Sequence, residues 1–207
     1  MEKKTKPFSN MHEFFEDIES VLGHPPDLVC RSLLIEEERP FHCIYLDTMV
    51  DKMTIDEYIL KSLTDRTFAE EEAPHANEGG FLREYPFSAP YETLREHIVQ
   101  SLISGYCVLI DFAGERVCLI NVNEPKQRPI EEPKAEATIR GPHEGFTESI
   151  MANVGLVRKR IRNPSLRFER LTVGSQTETT LFIVYMENLA PEPLVQEVRR
   201  RLKAIRT

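Results

Sequence analysis

Apolar positions recur at three- and four-residue steps in several stretches, and alternate or run continuously in others. Met11, Phe14, Ile18, Val21 and Leu22 make a helical stripe. Asn10, with Glu13 three residues on, forms a capping box in which Asn replaces the usual Ser or Thr, and Gly23 with Pro25-Pro26 ends the helix. Leu28 to Ile35 and Phe41 to Leu46 are β-rich and flank Glu36-Glu37-Glu38-Arg39-Pro40, which predicts a hairpin with a charged tip. Ile55, Ile59 and Leu63 mark a second helix with Thr54 as its N-cap. Asp65 to Pro90 is acidic, rich in Ala, Gly and Pro, and aperiodic, as expected of a long surface loop. Leu94, Ile98 and Leu102 give a third helix, ending near Ser104-Gly105. Tyr106 to Phe112 and Arg116 to Val122 then pair about Ala113-Gly114.

After a Pro-rich run from Asn123 to Pro133, a further stripe begins. Phe146, Ile150, Val154, Val157 and Ile161 predict a helix whose last turn is crowded by Arg158, Lys159, Arg160 and Arg162. Cations there complement the negative helix end, and Asn163-Pro164 stops it. Leu166 to Val173 and a strand ending at Tyr185-Met186 follow, and the closing helix carries Leu194, Val198, Leu202 and Ile205.

The second half repeats the opening of the first. Tyr45-Leu46-Asp47-Thr48-Met49-Val50 aligns with Tyr185-Met186-Glu187-Asn188-Leu189-Ala190 at a constant offset of 140, and each half spells helix, strand, strand, helix. A duplicated unit accounts for this; chance likeness between two short α/β segments is the competing account. The expected fold is α/β (α+β): a first subdomain over 1–122, a Pro-rich linker over 123–139, and a second subdomain over 140–207 that is an incomplete repeat of the first. An incomplete repeat would leave an unpaired edge and apolar surface near Leu181 to Met186.

Composition narrows the function class. Apolar residues at 41% and charged residues at 29% are ordinary for a soluble globular protein. No apolar run approaches the ~18 residues a membrane span needs, and Met1-Glu2-Lys3-Lys4 lacks the apolar core of a signal peptide. Charge is uneven: from Lys126 onward 15 Lys/Arg face 10 Asp/Glu, a net of +5, against −13 before it, giving the overall −8. Opposite halves of neighbouring copies could attract, so self-association is an expected behaviour, but only over a Debye length of about 8 to 10 Å. Nucleic acid is not an expected partner, because the basic residues are not interleaved with aromatics. Cys30, Cys43, Cys107 and Cys118 lie in strand-like runs without metal-ligand spacing, which predicts reduced, buried thiols.

Catalytic signatures are missing from the residues. There is no GxxxxGK[ST] loop, nucleophile elbow or HExxH pattern. The histidines are scattered, so neither a metal nor a cofactor is expected. Asp47 and Asp51 flank a turn and serve either as a carboxylate pair or, more in keeping with first-turn preference, as helix-entry residues. Arg140 and His143-Glu144 precede a helix start. There they either hold an anion or a partner's carboxylate, or lock the turn by pairing Arg140 with Glu144 or Glu148.

Arg140-Gly141-Pro142-His143-Glu144-Gly145-Phe146-Thr147-Glu148-Ser149, Asn153 and the Arg158-Lys159-Arg160 run resemble the soluble amino-terminal region of the A subunit of bacterial spore germinant receptors. Tyr45-Leu46-Asp47 and Val50-Asp51 also resemble that family's pattern, which more often has Gly where Thr48 stands. The resemblance spans nearly the whole chain. It implies a two-part soluble region with likeness to solute-binding proteins, on the interior side of the spore inner membrane. It also implies a membrane-spanning part further on, partnership with B and C subunits, and a role in signal relay during germination rather than catalysis. Arg140, Gly141, Pro142, Glu144, Gly145, Phe146, Glu148, Asn153, Arg158 and Arg160 are the ligand or interface residues it points to, with a small-molecule germinant as a candidate ligand. A free-standing solute-binding module is the alternative, with its ligand in the cleft between halves.

Overall fold

Asn10 opens the first helix, α1 (Met11–Leu22), by accepting the backbone N–H of Glu13 at 2.9 Å, one of the donors a helix start leaves unpaired. Gly23 closes it at φ 73°, a left-handed conformation that carries no penalty without a Cβ. These elements belong to a computed structural model that describes residues 10–35, 39–60, 82–86, 91–111, 116–123 and 145–205.

Strands β1 (Leu28–Ile35) and β2 (Arg39–Leu46) pair antiparallel, from Leu28 opposite Leu46 to Ile35 opposite Arg39. After them come α2 (Lys52–Thr54), running directly into a π-helical turn (Ile55–Leu60), then β3 (Leu82–Pro86), α3 (Tyr91–Ile103), β4 (Tyr106–Asp111) and β5 (Arg116–Asn121). The strands form one five-stranded sheet in the order β1-β2-β4-β5-β3. Its two faces follow from the two-residue period of a strand. Ile44, Leu46, Val108, Ile110, Val117 and Leu119 pack with Phe14 and Ile18 of α1 and with Leu94, Ile98 and Leu102 of α3. Cys43, Tyr45, Cys107, Leu109, Cys118 and Ile120 pack on the opposite side with Ile55 and Ile59. Each such fully buried side chain contributes on the order of 1.5–3 kcal/mol, so this doubly covered sheet is the main core.

Several expectations change here. The N-cap of α2 is Asp51, whose carboxylate accepts the Met53 N–H at 3.1 Å and the Thr54 hydroxyl at 2.7 Å; Thr54 lies inside the helix. A carboxylate offers more acceptor sites than a hydroxyl, and here it takes both donors. The aperiodic Asp65 to Pro90 stretch contains a strand, β3, which is held by pairing with β5 rather than by any local pattern. Cys43, Cys107 and Cys118 are buried, but Cys30 is exposed, because β1 is an edge strand. The charged tip at 36–38, the Ala113-Gly114 turn and Leu63 lie outside the described residues.

The second half is built from α4 (Ile150–Arg160), β6 (Leu166–Val173), β7 (Thr179–Met186) and α5 (Glu192–Lys203). β6 and β7 form their own two-stranded sheet, from Leu166 opposite Met186 to Val173 opposite Thr179. Val154 of α4 packs on Leu166 and Phe168. On α5, Arg199 grips Glu169 of β6 through two bonds of 2.6 and 2.8 Å. The first helix of this half starts at Ile150, not Phe146. Ser149 caps it by accepting the Ala152 N–H, and Phe146 precedes it with 74% of its surface exposed. Ile161 is the C-cap residue and is also exposed. The stripe of α5 is shifted too: Val195 is the buried position, while Leu194, Val198 and Ile205 face outward. Asn123 bridges Val50 at the end of the first sheet, and 124–139 of the Pro-rich run lie outside the described residues.

Candidate functional site

Asp27 sits between α1 and β1, fixed by its carbonyl, which accepts the Asp47 N–H at 2.8 Å. Its side chain is fully buried. Arg158 of α4 meets it side on: Nε donates to Oδ2 at 2.8 Å and Nη2 donates to Oδ1 at 2.7 Å. The Thr48 hydroxyl donates a third bond to Oδ2 at 2.6 Å. The guanidinium also lies 4.5 Å from the ring centroid of Phe168. Withdrawing both charges from water carries a desolvation penalty of several kcal/mol per ion. Bidentate geometry, the third donor and the aromatic face offset it.

Gly155 explains how α4 comes close enough. A Cβ there would lie 2.9 Å from the Thr48 carbonyl oxygen, inside contact distance. Absence of a side chain at Gly155 therefore sets the approach that lets Arg158, three residues later, reach Asp27. At Gly23 the nearby atoms belong to a side chain instead. A Cβ on Gly23 would lie 2.3 Å from Cδ of Arg167, whose guanidinium donates to the Pro164 carbonyl at 2.6 Å and pairs with Glu187.

The chain entering α4 is clipped in place. Asn153 accepts the Thr147 N–H at 2.7 Å and donates to the Thr147 carbonyl at 2.8 Å, a reciprocal pair that fixes the turn before the helix.

The residues expected to form the site divide into three groups. Arg140, Gly141, Pro142 and Glu144, with His143, lie outside the described residues. Gly145 is half-buried and Phe146 and Glu148 are exposed ahead of α4, while Asn153 makes the clip. Arg160 is exposed on the last turn of α4, whereas Arg158, expected as a last-turn cation and an interface residue, is buried. It is buried because it falls one turn after Val154 on the inward face and finds a carboxylate there. Asp47 and Asp51 are not a carboxylate pair: Asp47 pairs with Lys52 at 2.8 Å and Asp51 caps α2.

Asp27 and Thr48 were not legible as partners of Arg158. Their signal was indirect: a glycine inside a helix, at 155, followed by an arginine on the apolar stripe. Among the described residues no group of three or more His, Cys, Asp or Glu is arranged to hold a metal. Both oxygens of Asp27 are occupied, so this constellation acts as a joint between the halves.

Comparison with known proteins places this joint in context. The family model described as Bacillus/Clostridium GerA spore germination protein matches residues 16–207. Spore germination protein KA of Bacillus subtilis is 27% identical over 187 residues, which is 89% of this chain and 34% of that protein. Spore germination protein GerLA of Bacillus cereus is 27% identical over 202 residues, 96% of this chain and 40% of that one. The chain thus spans between a third and two fifths of the length of these relatives. Among solved structures, the N-terminal domain of the A subunit of the Bacillus megaterium spore germinant receptor GerK3 superposes with a TM-score of 0.67. The match is at 21% identity and covers 99% of this chain and 75% of that one. No helix among the described residues is long and apolar enough to cross a membrane. The chain belongs to the GerA spore germination protein family, and its fold is that of the amino-terminal domain of a germinant-receptor A subunit.

Proposed function

We propose that this domain relays nutrient germinant detection inside a spore germinant receptor, alongside B and C subunits, at the interior face of the spore inner membrane. The observation that supports this reading is the Asp27–Arg158–Thr48 joint. A relay requires an element with two discrete arrangements that a partner or ligand can bias. A desolvated, bidentate ion pair between two halves has that character. It is made only when both charges leave water together, since a buried charge without its partner costs several kcal/mol. A partner subunit that binds one arrangement better than the other would shift the population by its differential affinity.

The test replaces Arg158 with Ala and with Lys in the protein as it is expressed in spores. Germination rate on nutrient and protein amount by immunoblot are then followed together. The expected outcome is a nutrient response lost in Arg158→Ala when compared at matched protein amount, with partial recovery in Arg158→Lys. Unchanged germination in Arg158→Ala spores that carry normal amounts of protein would overturn the reading. So would a raised melting temperature of the isolated chain with amino acids, sugars or nucleosides in an Arg158-independent manner, since that is the behaviour of a solute-binding module.

A further inference from the structure

Cys43, Cys107 and Cys118 share one face of the five-stranded sheet, the face packed with Ile55 and Ile59. Their placement follows from strand pairing. Cys43 of β2 and Cys118 of β5 both stand opposite Leu109 of β4, one on either side of it. Cys107 lies two residues before Leu109, and therefore on the same face, diagonal to Cys43. The diagonal brings the Cys43 Sγ to 2.8 Å from the Cys107 Sγ, across a sequence separation of 64 residues. Both residues are 0% exposed.

A bond between two sulfurs is about 2.05 Å long, so this pair has less than about 1 Å to close, a movement on the scale of side-chain rotation. Burial, then the hydrogen bond with Cys43, push the Cys107 thiol well above its ordinary value, so Cys107 rests as a neutral thiol. The surroundings decide what oxidises the pair. Phe41, Tyr45, Leu109 and Ile120 belong to the same buried cluster, and a bulky disulfide cannot line up with either sulfur there. A peroxide of about the size of water, carrying no charge, enters during local opening.

We propose that Cys43 and Cys107 are a reversible redox pair, oxidised by a small uncharged hydroperoxide to a disulfide that ties β2 to β4. In the first step one sulfur, as its thiolate, attacks a peroxide oxygen; the O–O bond breaks, a sulfenic acid forms and one water leaves. The other sulfur then attacks the sulfenic sulfur; the S–S bond forms, the S–O bond breaks and a second water leaves. Two electrons and two protons pass from the two thiols to one peroxide. With its partner sulfur in contact, the sulfenic acid is captured before a second peroxide oxidises it further. The new bond closes a loop that holds α2, β3 and α3, which restricts the unfolded chain and so stabilises the first half. This pair is separate from the Asp27 joint and requires no signalling role.

The test treats the folded full chain with hydrogen peroxide, blocks the remaining thiols with iodoacetamide in denaturant, and maps the digest by mass spectrometry without reductant. One intramolecular link, between the peptides that carry Cys43 and Cys107, is expected. The melting temperature is expected to rise by about 5 °C or more and to return with dithiothreitol. Oxidised glutathione, bulky and charged, is expected to give less than about a tenth of that linkage in the folded chain over the same time. Cys43→Ala and Cys107→Ala are each expected to lose the link and the shift together. The linked peptide of the parent chain is the deciding reading, so a variant that folds poorly does not shelter the proposal. Four results would overturn it: no link between Cys43 and Cys107 under peroxide, a link through Cys118 or between chains in its place, sulfinic acid at either residue in its place, or equal linkage by oxidised glutathione in the folded chain.

Discussion

Arg158 grips Asp27, 131 residues earlier in the chain, through paired bonds of 2.8 and 2.7 Å, and both side chains are shut off from water. Removing one partner leaves the other charge buried and uncompensated. Arg158→Ala and Asp27→Ala are each expected to destabilise the chain by about 3–5 kcal/mol, and the double variant by less than the sum of the two. Urea unfolding of the four proteins measures the coupling. Simple additivity would show that the pair contributes nothing beyond its separate packing.

Thr48 is a finer probe of the same joint. Its hydroxyl supplies the third bond to Asp27. Thr48→Val keeps the shape and deletes the donor, so a loss of about 1–2 kcal/mol is expected. Calorimetric unfolding of that variant should show it; a neutral result would mean that Arg158 alone satisfies the carboxylate.

Gly155→Ala tests proximity rather than charge. Alanine normally strengthens a helix by about 0.8–1 kcal/mol over glycine. Here its Cβ would press on the Thr48 carbonyl at 2.9 Å, and backbone cannot swing aside as a side chain can. A net destabilisation of about 1–3 kcal/mol is expected, as in overpacked cores. A gain in melting temperature would show that α4 has room to move.

Acid should loosen the second half through Glu169. The hydrogen bond from Arg199 holds this carboxyl below its ordinary value of 4.5. A depressed folded-state pKa means that the stabilisation is complete above about 4.5 and is lost as pH falls through the lower folded value. The melting-temperature gap between parent and Glu169→Gln is therefore expected to be largest near about pH 7 and to close as pH falls from 4.5 through the lower folded value. A gap independent of pH would contradict it.

Cys30 is exposed as a residue, yet partial burial of its thiol, with a smaller contribution from nearby Cys43, pushes its pKa up to about 11. Because the thiolate is the nucleophile, alkylation at neutral pH should be slow despite the exposure. Mass spectrometry of iodoacetamide labelling is expected to give a rate still rising at about pH 10. Saturation below pH 9 would refute the shift.

What the sequence revealed depended on the range of the forces involved. α1, α3 and the two hairpins were readable because capping, helical stripes and alternation act within a few residues. β3 was not: five residues with no local pattern become a strand only because β5 lies alongside. Likewise the Arg158-Lys159-Arg160 run read as cations complementing the helix end, and nothing near it named Asp27. The phase of the helix held the missing clue, since Val154 and Arg158 are one turn apart and both face inward.

The turn from Asp47 to Val50 serves two masters. Val50 bridges Asn123, where the first sheet lets the chain go, and the Thr48 carbonyl lies against Gly155, where the second half packs back. One short turn thus closes the first sheet and seats the second half, so an insertion between Asp47 and Val50 should disturb both at once.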